Sequence, residues 1–204
     1  MLRNVILFLS LVLISLAPAQ EMESSESSST PFEPKKTNEI DPDVHMFGIP
    51  LGSSEDVALS VYGKPQVRIQ FSDKLSGMMY QWNYVLFFTQ DRLCGISVVN
   101  GALDYNLMKF VKNYKTLWGG NEVLWTLANG IHHKMSKKDV KKILKKYPDG
   151  KLESYRAFYS SKRCFVEIQF VGSGAEDKKD ELGEAFTINV MEKGAYEEFN
   201  RYNP

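Results

Sequence analysis

The sequence predicts an α+β fold in which antiparallel sheets carry a few short helices packed on them. Apolar and polar residues alternate in several short segments, which is typical of half-buried strands. Residues 136–148 have apolar residues at helical spacing, with a capping serine before them and a proline after them. An earlier segment, residues 53–65, has the same start and the same end. This repetition favours a duplicated unit, a helix followed by a β-meander.

The chain opens with the three parts of a secretory signal peptide. Arg3 supplies a positive charge, residues 5–16 are mainly apolar, and small residues occupy the −3 and −1 positions before Gln20. The apolar run is too short to cross about 30 Å of hydrocarbon, which takes ~20 residues. We therefore expect residues 1–19 to be removed on export, with a retained N-terminal anchor as the alternative. The protein would then be periplasmic or secreted, with no transmembrane anchor.

Residues 20–43 differ in composition from the rest of the mature chain. They carry seven acidic residues against two lysines, with five serines and one aromatic residue. Such a segment cannot bury enough surface to offset the entropy of ordering it. We expect a disordered acidic tether over residues 20–43. One α+β domain should follow over 44–204, with repeats at about 48–128 and 131–192.

The first half of the domain shows strand patterns followed by a helix pattern. Gln90-Asp91 is expected to make a tight turn between two of the strands. Apolar residues then recur at steps of four and three over residues 103–117, which predicts an amphipathic helix. The expected strands are residues 67–71, 79–89 and 92–99.

Residues 123–135 are open to two interpretations. Asn129-Gly130 is the dipeptide that best tolerates the positive φ values of a type I′ turn, which favours a hairpin with arms at 123–128 and 131–135. The alternative is a short helix over residues 122–128, closed by Gly130.

The next helix has a capping-box-like start. The Ser136 side chain can accept a hydrogen bond from the third helical N–H, and Asp139 lies favourably in the first turn. An apolar stripe of Val140, Ile143, Leu144 and Tyr147 should face the core, and a proline ends the helix. The remaining expected elements are strands at 152–160, 163–171 and 186–191 and a short helix at 195–202.

These helix starts resemble a known family. Residues 52–57, Gly-Ser-Ser-Glu-Asp-Val, with Gly63-Lys64-Pro65, are similar to the G-M-T-x-x-x-V…G-x-P signature of the outer-membrane assembly lipoproteins (SmpA/OmlA, BamE-like). Residues 135–140, Met-Ser-Lys-Lys-Asp-Val, repeat that start. Tandem use of the unit is similar to the β-lactamase-inhibitor-like fold. By fold analogy, the resemblance implies inhibition of an extracellular hydrolase as an alternative function.

The helix after Ser136 also carries the most notable charged cluster. With its apolar stripe facing inward, its lysines should surround the outer surface and could bind anionic lipid head groups or an acidic partner. The alternative is an ordinary solvated helix face. The candidate anion- or partner-binding residues are Lys137, Lys138, Lys141, Lys142, Lys145 and Lys146.

The two cysteines are candidates for a disulfide. Export removes the reducing cytosolic environment, and an even count favours a Cys94–Cys164 bond. Both lie in strand patterns whose neighbours on the same face are apolar. The alternative is two separate buried thiols at equivalent positions of the repeats.

Motifs for catalysis or metal binding are missing from the sequence. It contains no G-x-S-x-G, HExxH or CxxC motif. His132 and His133 are adjacent, so on a strand they point to opposite faces and cannot both ligate one metal. We expect no catalytic residue, metal or cofactor.

The balanced composition also bounds the function. The formal net charge is zero and the pI near 6.8, which argues against nucleic acid as a partner. The sequence therefore favours an exported, non-enzymatic binding or scaffolding module whose partner is another envelope or secreted protein, or an anionic lipid surface. An enzyme without a recognisable motif is a further alternative to the hydrolase inhibitor.

Overall fold

The computed structural model describes residues 33–100, 122–171 and 183–202. The predicted signal peptide (1–19) and the predicted helix over 103–117 lie outside the described residues. The chain divides into two units, Met1–Pro31 and Phe32–Pro204, and all the described residues belong to the second. In the part of the chain described, no helix is both long enough and apolar enough to cross a bilayer.

The structure confirms the predicted α+β class, with mainly antiparallel sheets and, in the described part of the chain, three short helices. The helices are α1 (Glu55–Tyr62), α2 (Lys137–Leu144) and α3 (Lys193–Tyr202). The strands are β1 (Glu39–Asp41), β2 (His45–Met46), β3 (Ile49–Pro50), β4 (Val67–Gln70), β5 (Leu75–Tyr80), β6 (Tyr84–Thr89), β7 (Arg92–Val98), β8 (Thr126–Leu127), β9 (Lys151–Leu152), β10 (Arg156–Ser160), β11 (Cys164–Val171) and β12 (Glu184–Glu192).

The strands of the described residues form one large sheet and one small sheet. The large sheet has the order β4-β5-β6-β7-β12-β11-β10-β9 and is antiparallel throughout. The small sheet has the order β3-β2-β1-β8, and its β1–β8 pair is parallel. The large sheet is therefore two four-stranded meanders, each following a helix, joined where β7 pairs with β12. This is the topology that a duplicated helix-plus-meander unit requires.

The helices begin and end where local chemistry directs them. Ser136 caps α2 as expected: its Oγ accepts the Asp139 N–H at 3.2 Å and donates to the Asp139 carboxylate at 2.7 Å. Val140 and Leu144 then face the core. Helix α1 ends at Gly63, whose φ of +73° is a conformation that glycine adopts at little cost.

Apolar clusters cover both faces of the large sheet. One cluster joins the sheet to the small sheet and to α1 and α2, through residues such as Ile40, Ala58 and Val140. The other joins it to α3, through Phe87 and Phe199, whose ring centroids are 5.3 Å apart. Each fully buried aliphatic or aromatic side chain contributes about 1.5–3 kcal/mol. Burial on both faces therefore stabilises the large sheet.

The ordered part begins earlier than Val44, the predicted start of the domain. Residues Glu39–Asp41, inside the predicted tether, form β1, with Ile40 paired to Met46 on one side and Leu127 on the other. Ile40 is completely buried. Burial of Ile40 between two strand partners stabilises this segment despite the acidic residues around it. The predicted boundary between tether and domain, at residues 43–44, is therefore wrong.

The predicted strand over 79–89 is also wrong in one respect. It is two antiparallel strands, β5 and β6, connected through Gln81 and Trp82, which have φ values of +52° and +60°. Neither of these two residues is a glycine or an asparagine, so the turn signal is limited to Asn83, the third residue of the loop. The Gln90-Asp91 turn between β6 and β7 is confirmed.

The segment around Asn129 is a hairpin, as favoured over the short helix, but its turn differs from the expected type. The Leu127 N–H donates to the Ile131 carbonyl at 2.7 Å, which leaves a three-residue loop. A type I′ turn needs positive φ at both Asn129 and Gly130, and of the two only Gly130 has it, at +89°. The Asn129 side chain instead forms hydrogen bonds with two tyrosines.

Candidate functional site

Five of the six candidate lysines are exposed on and just after α2, and they are called here the lysine face. Its members are Lys138, Lys141, Lys142, Lys145 and Lys146. Of these five lysines, only Lys142 forms an ion pair with a described residue, Asp139, at 2.8 Å. Lysines three and four residues apart on a helix are neighbours and repel one another. The lysine face is therefore a positive surface with little local neutralisation.

The sixth candidate, Lys137, does not belong to this surface. Lys137 is 4% exposed, and its Nζ donates to the Ser154 carbonyl at 2.7 Å. The sequence pattern predicts that Lys137 is exposed, as Lys138 is. In the structure, the first turn of α2 packs against the loop before β10, and this contact buries Lys137. Its placement among the surface lysines is wrong, because this ammonium fixes the helix to the fold.

The structure keeps Cys94 and Cys164 as free, buried thiols. They lie on β7 and β11, which are separated by β12, so their backbones are about 10 Å apart. A disulfide requires Cα atoms within about 7 Å. A bulge in the β6–β7 pair, between Phe87 and Phe88, also turns Cys94 into the cluster on the opposite face from Cys164. The arrangement does not allow the predicted bond.

We predict that the protein contains two free thiols that react only after unfolding. Burial raises the pKa of both Cys94 and Cys164 to about 12, so the reactive thiolate is scarce at neutral pH. Thiol titration should count none in native buffer and two in denaturant without reductant. Fewer than two in denaturant would show that a disulfide forms and that the strand order is wrong.

Cleft 1 is a concave site that the sequence did not reveal. It has a volume of 590 Å³ and lies between the β1–β2 turn, the Asn129 loop, the end of α2 and the β10–β11 turn. A second cleft of 430 Å³ adjoins it, sharing Asp41 and Ala128. The lining residues of cleft 1 are Asp41, Pro42, Asp43, Ala128, Asn129, Tyr147, Tyr159, Ser160, Ser161 and Lys162.

Asn129 organises the floor of cleft 1. Its Nδ2 donates to the hydroxyl oxygens of Tyr147, at 2.9 Å, and Tyr159, at 3.0 Å. Its Oδ1 accepts the Ile131 N–H at 3.1 Å, so the carboxamide uses all its principal groups. The two tyrosine rings pack with centroids 4.2 Å apart. The sequence patterns predict only a turn position for Asn129 and a buried position for Tyr147. They do not predict the contact between these two residues, which also involves Tyr159 of β10.

The adjacent histidines have different environments. His132 is exposed while His133 is buried, in agreement with the opposite directions expected for adjacent residues. Within residues 33–100, 122–171 and 183–202, no group of three or more His, Cys, Asp or Glu side chains is placed to hold a metal ion.

Comparisons with known proteins give structural similarity only. Neither a family model nor a curated protein matches the chain. One similar solved structure is an extracellular protein containing an SCP domain from Bacillus anthracis str. Ames, with a TM-score of 0.41 and 10% identity over 70% of this chain and 44% of that one. Another is a cysteine-rich secretory protein from Staphylococcus aureus subsp. aureus Mu50, with a TM-score of 0.36 and 11% identity over 80% of this chain and 51% of that one.

The chain therefore spans about half the length of these two proteins. The predicted resemblance to the outer-membrane assembly lipoproteins and to the β-lactamase-inhibitor-like fold is wrong: no family model matches the chain, and the two similar solved structures are described as an extracellular protein containing an SCP domain and a cysteine-rich secretory protein. The residues behind that resemblance are a helix-capping serine, an acidic first turn and a helix-ending glycine or proline. Any short capped helix uses these residues, whatever its family.

Proposed function

We propose that this chain is an exported, non-enzymatic binding module that contacts an acidic protein partner through the lysine face. Export is supported by the signal-peptide pattern of residues 1–19. Binding is supported by one observation above all: the five lysines of the lysine face are exposed on one short segment, and of these five only Lys142 forms an ion pair with a described residue.

The cost of this surface to the isolated protein supports a binding role. Lys138 lies in the first turn of α2, where the helix dipole disfavours a positive charge. The spacing of Lys138, Lys141 and Lys145 adds repulsion of ~0.2–0.5 kcal/mol per neighbouring pair. An acidic partner would relieve both costs. Its carboxylates would also steer the encounter, because complementary charges raise association rates.

The geometry favours a protein over a lipid surface. Helices that lie in a membrane interface bury an apolar face in the lipid. In α2 that face is already used, since Val140 and Leu144 are buried in the core. The large apolar residues exposed in the described ranges are Val44, Leu124, Tyr155 and Val171, and none is on α2.

Reversing charge on the lysine face should weaken binding to an acidic probe. We expect Lys138→Glu/Lys141→Glu/Lys145→Glu to weaken binding to poly-L-glutamate at least tenfold, because each lysine near an anionic surface contributes about 1 kcal/mol. Stability should stay within about 0.5 kcal/mol of wild type, since these positions are exposed. Fluorescence anisotropy over a range of salt concentrations measures the affinity and its screening.

A matched control separates local from net charge. Lys36→Glu/Lys64→Glu/Lys74→Glu changes the net charge equally at exposed positions outside α2 and the segment that follows it, and should retain most of the binding. Equal loss in both triple variants would contradict a specific site. Salt-sensitive binding to phosphatidylglycerol vesicles without binding to poly-L-glutamate would contradict a protein partner.

A further inference from the structure

We propose that cleft 1 is a carbohydrate-binding site, in which hydroxyl groups of a saccharide bridge the tyrosine O–H donors and the carboxylates of Asp41 and Asp43. This proposal concerns a different surface from the lysine face and does not depend on it. It is based on the cavity, on the hydrogen bonds formed inside it, and on the tyrosine hydroxyl protons and carboxylate oxygens that have no partner among described residues.

The floor of cleft 1 presents hydroxyl protons that lack an acceptor. Tyr147 and Tyr159 each accept a hydrogen bond from Asn129. Within the described part of the chain, neither hydroxyl donates to any group. Tyr159 is only 2% exposed, so a donor left unused there is costly. Acceptor oxygens of a ligand in the cleft would satisfy both protons.

The rim of cleft 1 supplies hydrogen-bond acceptors, the carboxylates of Asp41 and Asp43. One Asp41 oxygen accepts the Asp43 N–H at 2.9 Å, and one Asp43 oxygen accepts the Arg163 N–H at 2.9 Å. These bonds hold both side chains in place and leave the second oxygen of each carboxylate available as an acceptor. Burial, with the nearby Asp43 and Asp41 adding to it, raises the pKa of Tyr159, so its hydroxyl stays protonated as a donor.

A hydroxyl-rich ligand fits this combination better than the alternatives. Each sugar hydroxyl accepts from a tyrosine O–H and donates to a carboxylate through the same oxygen. A cationic group would satisfy Asp41 and Asp43 but would leave the tyrosine protons without acceptors. A peptide backbone carries its donor and acceptor on separate atoms, so it would need two residues in a fixed register.

The test measures saccharide binding to the full chain by saturation-transfer NMR and calorimetry. The probes are chitotriose, maltotriose and mannotriose, with trialanine as the peptide comparison. We expect at least one trisaccharide to bind more tightly than trialanine. Tyr147→Phe removes one donor, and Asp41→Asn/Asp43→Asn removes both charges while keeping an oxygen for each backbone N–H. Each variant should weaken binding about tenfold.

The lysine-face triple variant serves as the matched control and should bind the saccharide like wild type. Thermal melts should show that Tyr147→Phe and the double Asn variant remain folded. The proposal is overturned if no trisaccharide binds at millimolar concentration. It also fails if trialanine binds more tightly, or if the cleft variants bind like wild type. None of these results bears on binding of poly-L-glutamate by the lysine face.

Discussion

Replacing Gly95 with alanine is expected to destabilise the protein by about 3 kcal/mol. Gly95 lies on β7 opposite Met191 of β12, at the seam that joins the two meanders. A Cβ built at Gly95 would lie 2.6 Å from the Val190 carbonyl oxygen and 2.8 Å from Met191 Cγ. The carbonyl belongs to the paired strand and cannot withdraw without breaking the seam.

Gly194→Ala is the matched control for that substitution. Gly194 lies in α3, and a Cβ there meets nothing within 4 Å. Alanine has the higher helix propensity, so stability should rise by up to about 1 kcal/mol. Urea unfolding followed by tryptophan fluorescence measures both variants. A Gly95→Ala protein within about 1 kcal/mol of wild type would show that β7 and β12 do not pair as described.

Acidification below pH 6.5 is expected to reduce the free energy of unfolding, with His133 as a principal cause. His133 is 6% exposed, and its ring lies between Trp125 and Phe186. Both ring nitrogens are buried and have no hydrogen-bond partner among described residues. Burial lowers the pKa of His133 below its ordinary value of 6.5, although the Glu122 charge opposes this.

The sign of the effect follows from which state binds the proton first. Above pH 6.5 His133 is neutral in both states, and its contribution is complete. As the pH falls below 6.5, the unfolded chain is protonated before the folded one, and stability drops until the folded-state pKa is reached. Within that window the loss is up to about 1.4 kcal/mol per pH unit for one histidine.

His133→Phe should make the stability less dependent on pH and raise it by about 1–2 kcal/mol, because two unsatisfied buried nitrogens disappear. Unfolding in urea at several pH values between 7 and 5 measures both changes. Burial lowers the pKa of His45 as well, so part of the slope should remain. His133→Leu serves as a second variant in case the larger ring does not fit. A slope unchanged in both variants would contradict this assignment.

The sequence predicted those features that local chemistry determines. Helix α2 begins at Ser136 and buries Val140 and Leu144, because a side-chain cap and an apolar stripe act within one segment. The turn at Gln90-Asp91 follows for the same reason, since polar residues separate two strand patterns. The α+β class could be predicted because it depends only on which segments have helix patterns and which have strand patterns.

Features that depend on distant residues were missed. Ile40 lies in a strand because it pairs with Met46 on one side and Leu127 on the other. The acidic residues around Ile40 in the sequence predicted a disordered tether instead. Lys137 faces inward because the Ser154 carbonyl lies beside it. Cleft 1 needs Asn129 next to tyrosines 18 and 30 residues away, which no local pattern predicts. Strand alternation alone also did not predict the bulge between β6 and β7, which places Cys94 on the opposite face of the sheet from Cys164.

Chemical-shift mapping with poly-L-glutamate tests the lysine face most directly. Backbone amide resonances of the labelled protein are recorded during titration with the acidic polymer at low salt and again at high salt. We expect the largest shift changes in α2 (Lys137–Leu144) and at Lys145 and Lys146, with the changes lost at high salt. Changes centred elsewhere, or none at low salt, would contradict binding of an acidic partner through α2.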